Sequence, residues 1–159
     1  MFAPVFNPLA AEAIGILEKT GPMPFRALAC ALRLPRRKWY RLAKAVRALH
    51  AAGYASLRRV GGVEFVVPSG FPPFHPGRQL AFAWFVARLV EAGGQIEGNL
   101  ARFPKGTPRP VMVVPPDTGV LPGCVVVLRD KGKLPAGAAY WCRAEELKTL
   151  PLSRCLRKC

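Results

Sequence analysis

A run of basic side chains around one tyrosine is the part of this sequence whose residue types and spacing could do chemistry. The run contains Arg36, Arg37, Lys38, Tyr40, Arg41, Lys44 and Arg47. Guanidinium and ammonium groups on one face of a helix bind phosphate oxygens, and they can also pair with guanine edges in the major groove of DNA. The chemistry that this run predicts is therefore the recognition of a polyanion.

The periodicity of the sequence predicts the helix that would present this run. We predict it from Pro35 to Ala52, with Gly53 as its C-terminal cap. With 3.6 residues per turn, an apolar stripe falls on the side opposite most of the basic residues, and it is expected to pack on the rest of the fold. The stripe consists of Trp39, Leu42, Val46 and Leu49.

Two shorter helices are predicted before this basic helix, and a β-hairpin is predicted after it. The helices span Leu9–Lys19 and Phe25–Leu32, because apolar residues recur there and a Gly or Pro breaks the pattern after each one. The hairpin pairs Tyr54–Val60 with Val63–Val67 across two glycines that can adopt positive φ. The arginines just before its tip are Arg58 and Arg59.

This order of elements resembles the winged helix-turn-helix domains of bacteria and archaea. The resemblance covers residues 9–68, and most of it lies in the stretch LACALRLPRRKWYRLAKAVRALHAAGYASLRR. It implies double-stranded DNA as the partner, the third helix as the element that enters the major groove, and the hairpin arginines as contacts to the DNA backbone. The implied nucleic-acid-binding residues are Arg36, Arg37, Lys38, Tyr40, Arg41, Lys44, Arg47, Arg58 and Arg59.

The second half of the sequence predicts a small α/β domain. A Pro-rich segment at residues 69–77 is interpreted as a linker between domains at 1–68 and 78–159, which gives an α+β fold class overall. After it we predict an aromatic-rich helix, then short strands and a short last helix. These elements are Gln79–Ala92, then Gln95–Phe103, Pro110–Val114, Cys124–Leu128 and Ala138–Cys142, then Arg143–Leu150.

This half also resembles the nuclease-like domain that follows winged helices in some plasmid replication-relaxation proteins. The family's Mg²⁺-binding pattern would fall on Glu91, on Pro116-Asp117 and on Asp130 with Lys131 or Lys133. The sequence departs from that pattern, since the family has its lysine two residues after the acid, where this chain has Gly132. We therefore predict a protein that is not an enzyme, with a Mg²⁺-dependent nuclease at residues 78–159 as the weaker alternative.

The chain has five cysteines, an odd number, which an intracellular protein would keep reduced. Cys30 is predicted to be a core residue. Four thiolates could hold a zinc ion, but the only close pair among the others has C-x3-C spacing. We predict no metal and no cofactor, with a zinc site as the alternative. The four candidate ligands are Cys124, Cys142, Cys155 and Cys159.

A net charge of +15 points to a polyanionic partner, and both halves of the chain contribute to it. Nucleic acid is the usual partner of such a charge, while an anionic membrane or an acidic protein are the alternatives. The longest apolar stretch, Leu80–Val90, is too short to span a membrane and contains an arginine. The N-terminus does not resemble a signal peptide, so we expect a cytoplasmic protein.

Two hypotheses about function remain open at the level of sequence. The first is a sequence-selective, non-enzymatic DNA-binding protein, either a transcriptional regulator or an accessory factor of a mobile element. The second is a subunit or inhibitor of a larger nucleoprotein complex of phage, plasmid or CRISPR type, with its basic surface on RNA or protein. A regulator is expected to be a homodimer with a palindromic preference, whereas a subunit is expected to be a monomer without one.

Overall fold

The computed structural model describes residues 7–114, 120–129, 134 and 136–159, and they form a mixed α+β structure, as predicted. The helices are α1 (Pro8–Thr20), α2 (Phe25–Ala31), α3 (Trp39–Ala51), α4 (Pro76–Glu91), α5 (Ala144–Leu147) and α6 (Leu152–Cys155). The strands are β1 (Met23–Pro24), β2 (Ala55–Val60), β3 (Val63–Pro68), β4 (Gln95–Glu97), β5 (Leu100–Arg102), β6 (Arg109–Val114), β7 (Val125–Leu128), β8 (Tyr140–Arg143) and β9 (Arg157–Lys158).

The first helix is close to its predicted bounds because local signals fix its beginning. The side chain of Asn7 caps α1 by accepting a hydrogen bond from the backbone N–H of Leu9 at 2.9 Å. Pro8 occupies the first helical position, where its missing N–H costs nothing. The second helix is also confirmed, and it ends one residue earlier than predicted.

The third helix begins later than predicted. Arg36–Lys38 form a 3₁₀ turn, and the α-helix starts only at Trp39. The turn is closed by a hydrogen bond of 2.8 Å, which the backbone N–H of Lys38 donates to the carbonyl of Pro35. The indole of Trp39 also donates to the carbonyl of Leu34 at 3.2 Å, which ties the start of the helix to the turn before it.

Strands β1, β2 and β3 form an antiparallel sheet in the order β1-β3-β2. The hairpin of β2 and β3 is confirmed, with Val60 opposite Val63 across the two glycines. Strand β1 was not predicted, because two residues are too few to show a periodicity. It exists because Met23 pairs with Val66 of β3.

The segment predicted as a linker is shorter than expected and lies against the hairpin. Helix α4 begins at Pro76 instead of Gln79, since the ring of His75 caps it by accepting from the N–H of Arg78 at 3.1 Å. The ring of Phe74 packs edge-on against Phe65 of β3, with 5.1 Å between ring centroids. Residues of this segment therefore contribute to the packing of the hairpin.

A second sheet has the order β4-β5-β6-β7-β8-β9, with parallel pairing among β6, β7 and β8 and antiparallel pairing elsewhere. The predicted strand Gln95–Phe103 is two strands, because the chain turns at Gly98-Asn99. The predicted helix Arg143–Leu150 is only α5, because the chain turns at Lys148-Thr149. Helix α6 and strand β9 were not predicted.

Helix α4 joins the two parts of the core. It packs against α2 and β1 of the first half and against α5, β4 and β6 of the second half. Its buried residues include Trp84, Phe85 and Leu89, and they share one hydrophobic cluster with Leu17 of α1 and Val127 of β7. No described helix is long and apolar enough to cross a membrane.

Candidate nucleic-acid interface

Helix α3 is anchored in the fold by one apolar side. Leu42, Ala45, Val46 and Leu49 are buried, and they place the helix against α1 and β2. Trp39 is half-buried and meets Phe25 of α2 edge-on, with 6.0 Å between the ring centroids. The apolar stripe that the sequence predicts is thus the stripe that is buried.

The opposite side of α3 and of the 3₁₀ turn is exposed and basic, and we call it the basic face. Tyr40 is exposed over 58% of its surface, and Lys38 is half-buried. The structure therefore leaves this side of the helix available to a partner. The basic face consists of Arg36, Arg37, Lys38, Tyr40, Arg41, Lys44 and Arg47.

No carboxylate of the surrounding sequence neutralises this surface. From Lys19 to Val63 the chain has eleven basic residues and no acidic one. The ion pairs found among the described residues, Arg88–Glu91 and Arg157–Glu146, lie in the second half of the chain. Among the residues that the structure describes, no ion pair involves the basic face, so its positive charge is not compensated there.

The hydrogen bonds and ring contacts of the basic face are local. The guanidinium of Arg36 lies 5.8 Å from the ring centroid of Trp39, and Arg47 donates to the carbonyl of Ala43 at 3.3 Å. A hydrogen bond from Arg41, together with its charge, lowers the pKa of the Tyr40 phenol. These contacts orient the side chains without burying their charges.

The two arginines of the hairpin point to opposite faces of the sheet. Arg58 pairs with Phe65, and Arg59 pairs with Glu64. Successive residues of a strand alternate between faces, so Arg58 lies on the side of Phe65 and Arg59 lies on the side of Glu64. The resemblance implied that both arginines contact the DNA backbone. In the structure they lie on different faces of the same strand.

No known protein family was found for this chain. Comparisons with models of protein families, with curated proteins and with solved structures give no match. What the basic face binds is therefore inferred from its geometry and its charge.

Several arginines of the second half are held in structural contacts. Arg109 donates to the carbonyl of Gly123 at 2.9 Å and lies over the ring of Tyr140. Arg157 forms a two-point ion pair with Glu146, at 2.8 and 3.1 Å, which lowers the pKa of that carboxyl. These side chains stabilise the second sheet, and they are less available to a polyanion than the basic face is.

Arg26 is an exposed basic residue that was not among the predicted site residues. Arg26 lies on the exposed side of α2, the helix before the turn. The first helix of a helix-turn-helix crosses the DNA backbone, so a cation there could contact phosphate. Its position in the stretch without acids was a signal that could have identified it.

The structure offers no metal centre in the part of the chain that it describes. Cys124, Cys142 and Cys155 are buried, and no group of three or more His, Cys, Asp and Glu side chains is placed to hold an ion in residues 7–114, 120–129, 134 and 136–159. The zinc alternative finds no support there. Burial raises the pKa of the Cys30 and Cys155 thiols, which favours their neutral form.

The residues of the nuclease alternative are only partly described. Glu91 is in α4, where its carboxylate pairs with Arg88 at 3.1 Å. A carboxylate in an ion pair with an arginine is a poorer ligand for Mg²⁺ than a free one. The other residues of that pattern lie outside the described residues, and they are Pro116, Asp117, Asp130, Lys131 and Lys133.

Proposed function

We propose that this chain is a sequence-selective, non-enzymatic protein that binds double-stranded DNA. In this proposal residues 8–68 form a winged helix-turn-helix. The order α1, β1, α2, α3, β2, β3 and the antiparallel sheet β1-β3-β2 support it. The short turn between α2 and α3 supports it too, because the second helix of such a pair is the one that enters the major groove.

The observation that carries the proposal is the contrast between the two sides of α3. One side is buried in the core, and the other is an exposed basic face in a stretch without acidic residues. An α-helix with its side chains is about 10 to 12 Å in diameter. The major groove is about 12 Å wide and admits such a helix. Duplex DNA is the polyanion that matches this shape and charge.

The hairpin is the proposed wing. Its edge strand β2 carries an exposed Leu57 with Arg58 and Arg59 beside it. Because the two arginines face opposite sides of the strand, we expect only one of them to make a strong phosphate contact. Separate substitutions of Arg58 and Arg59 are expected to weaken DNA binding unequally.

The test is a double substitution on the basic face, Arg41→Ala with Lys44→Ala. Alanine favours a helix, so α3 is expected to keep its fold. We expect the dissociation constant for duplex DNA to rise about tenfold or more, and the slope of log K against log salt to become shallower by about 1 to 2. Fluorescence anisotropy with a labelled duplex at several salt concentrations measures both quantities.

The matched control removes the same charge elsewhere. Lys105 and Arg154 are exposed and lie in the second half of the chain. The variant Lys105→Ala with Arg154→Ala is expected to bind duplex DNA much more tightly than the variant of the basic face. Equal affinity of these two double variants would remove α3 from the proposed interface.

A further inference from the structure

A pocket of about 240 Å³ lies at the beginning of the parallel strands of the second sheet. Its walls come from the segment between β5 and β6, from the first residue of β6 and from the first residue of β8. Pockets that bury a drug-sized ligand are larger, about 300 to 1,000 Å³, so this one suits a single small unit. The residues that line it are Phe103, Lys105, Gly106, Thr107, Arg109 and Tyr140.

Two half-buried aromatic rings form the apolar part of this pocket. The ring centroids of Phe103 and Tyr140 are 6.4 Å apart, and the ring planes are inclined by 42°. Because of this inclination, neither ring stacks flat on the other. An aromatic face beside a positively charged surface is where an unpaired nucleobase stacks, and every base has a π-face that can do so.

The polar part of the pocket is cationic. The guanidinium of Arg109 lies 5.4 Å from the ring centroid of Tyr140, and its Nη1 donates to the carbonyl of Gly123 at 2.9 Å. These contacts hold the guanidinium in place, and its other nitrogens have no hydrogen-bond partner among the described residues. Lys105 is exposed. No carboxylate is among the described residues that line the pocket, so a phosphate group meets two cations and no like charge.

The turn between β5 and β6 has room for a phosphate beside its backbone. Gly106 has a φ of 106°, and a Cβ built on it would meet nothing within 4 Å. A glycine without neighbours on that side allows a ligand to approach the backbone closely. The neighbouring Thr107 is exposed and adds a hydroxyl that can donate to a phosphate oxygen.

We propose that this pocket binds one unstacked nucleotide, either a free nucleoside monophosphate or one unit of a single strand. The base lies against Phe103 and Tyr140, and the phosphate contacts Lys105 and Arg109. The bases of a duplex are paired and stacked, so they do not reach these rings, and Lys105→Ala remains a fair control for duplex binding. The pocket is separate from the basic face and does not depend on the proposed function.

The experiment is a titration of the full chain, labelled with ¹³C at tyrosine Cζ, with AMP, adenosine and ribose 5-phosphate at constant ionic strength. The tyrosines separate the two sites, because Tyr140 lines the pocket and Tyr40 belongs to the basic face. We expect AMP to give a saturable shift of the Tyr140 signal. Adenosine lacks the phosphate and ribose 5-phosphate lacks the base, so each is expected to bind there about fivefold more weakly or worse.

A tetranucleotide of deoxyadenosine distinguishes the two sources of the nucleotide. If it binds more tightly than AMP at Tyr140, the pocket holds one unit of a single strand. If it binds equally or more weakly, the pocket holds a free nucleoside monophosphate.

Two variants test the two parts of the pocket. Phe103→Leu keeps an apolar side chain and removes the ring, and Lys105→Ala removes the exposed charge. Each is expected to weaken AMP binding at Tyr140 about fivefold or more. Lys148→Ala, at an exposed lysine that does not line the pocket, is expected to bind as the wild type does. Urea unfolding checks that Phe103→Leu keeps the fold, and Lys105→Ala carries the test where it does not.

Absence of a saturable Tyr140 shift with AMP would overturn the proposal. A shift of Tyr40 alone would overturn it too, because the phosphate would then bind only to the basic face. Ribose 5-phosphate that binds as tightly as AMP would show that no base is recognised. Equal AMP binding by wild type, Phe103→Leu and Lys105→Ala would also contradict the proposal. None of these results bears on duplex binding, which is measured with the variants of the basic face.

Discussion

At the scale of single residues, the basic face is marked by cations that form no ion pair with a carboxylate in the described part of the chain. The pKa of Tyr40 is sensitive to these charges, because the side chain is exposed and lies among cations. A hydrogen bond from Arg41 is the largest cause of its lowered pKa, and the charges of Arg41, Lys44 and Lys38 act in the same direction. The phenol therefore ionises at a lower pH than the ordinary value of 10.0.

The first prediction concerns the pKa of Tyr40. Arg41→Gln removes the guanidinium that bonds to the phenol and whose charge lowers its pKa more than the neighbouring lysines do. The pKa of Tyr40 is therefore expected to rise toward the ordinary value. NMR of tyrosine labelled with ¹³C at Cζ, followed across alkaline pH, measures this pKa apart from those of Tyr54 and Tyr140. Lys158→Gln, at an exposed lysine of β9, is the control and should leave it unchanged. The same pKa in wild type and Arg41→Gln would show that Arg41 does not act on the phenol.

At the scale of elements, the tip of the β2–β3 hairpin is docked on the start of α4. Gly61 and Gly62 both have positive φ, at 59° and 79°. A Cβ built on Gly61 would lie 2.8 Å from Cγ of Pro76, whereas one on Gly62 would meet nothing within 4 Å. The hairpin is therefore held by its tip as well as by the Phe65–Phe74 contact.

This pair of glycines gives the second prediction. Gly62→Ala is expected to cost about 1 kcal/mol of unfolding free energy, because alanine is strained at positive φ. Gly61→Ala carries the same strain and also crowds Pro76, so it is expected to cost about 1 kcal/mol more. Urea unfolding of the two variants measures the difference. Equal losses would mean that the tip is not packed against Pro76.

At the scale of the whole molecule, Arg88 connects parts that are far apart in the sequence. It is 9% exposed and lies in α4 over the ring of Trp84. Its guanidinium donates to the carbonyls of Leu147 at 2.6 Å and Lys148 at 3.1 Å, and it pairs with Glu91 at 3.1 Å. These bonds connect the region of α5 to α4.

The third prediction concerns this connection. Arg88→Met keeps an unbranched apolar stem but leaves Glu91 and two carbonyls without their donor, so we expect a loss of about 3 to 5 kcal/mol. Arg102→Met, at an exposed arginine of β5, is expected to change stability by no more than about 0.5 kcal/mol. Urea unfolding compares the two. A loss below about 1 kcal/mol for Arg88→Met would contradict the assigned role.

The parts of the structure that could be predicted are those that depend on the residue pattern within a short stretch of sequence. The buried side of α3 follows from apolar spacing, and the hairpin follows from two glycines between β-forming residues. The buried position of Arg88 could not be predicted, since it depends on carbonyls about 60 residues away. The same holds for the two-residue β1, which exists only because β3 lies beside it.

The candidate sites differ in the same way. The basic face was visible in the sequence because charge and helical periodicity coincide over residues 36–47. The opposite orientation of Arg58 and Arg59 became clear only from the register of the hairpin.

Binding of the purified chain to random duplex DNA, single-stranded DNA and RNA tests the central claim most directly. Fluorescence anisotropy at several salt concentrations gives the affinity and its salt dependence for each. The proposed function predicts the tightest binding to the duplex, with a log–log salt slope of about −0.9 for each phosphate neutralised. Absence of duplex binding, or tighter binding to RNA, would contradict the claim and would favour a role in a larger nucleoprotein complex.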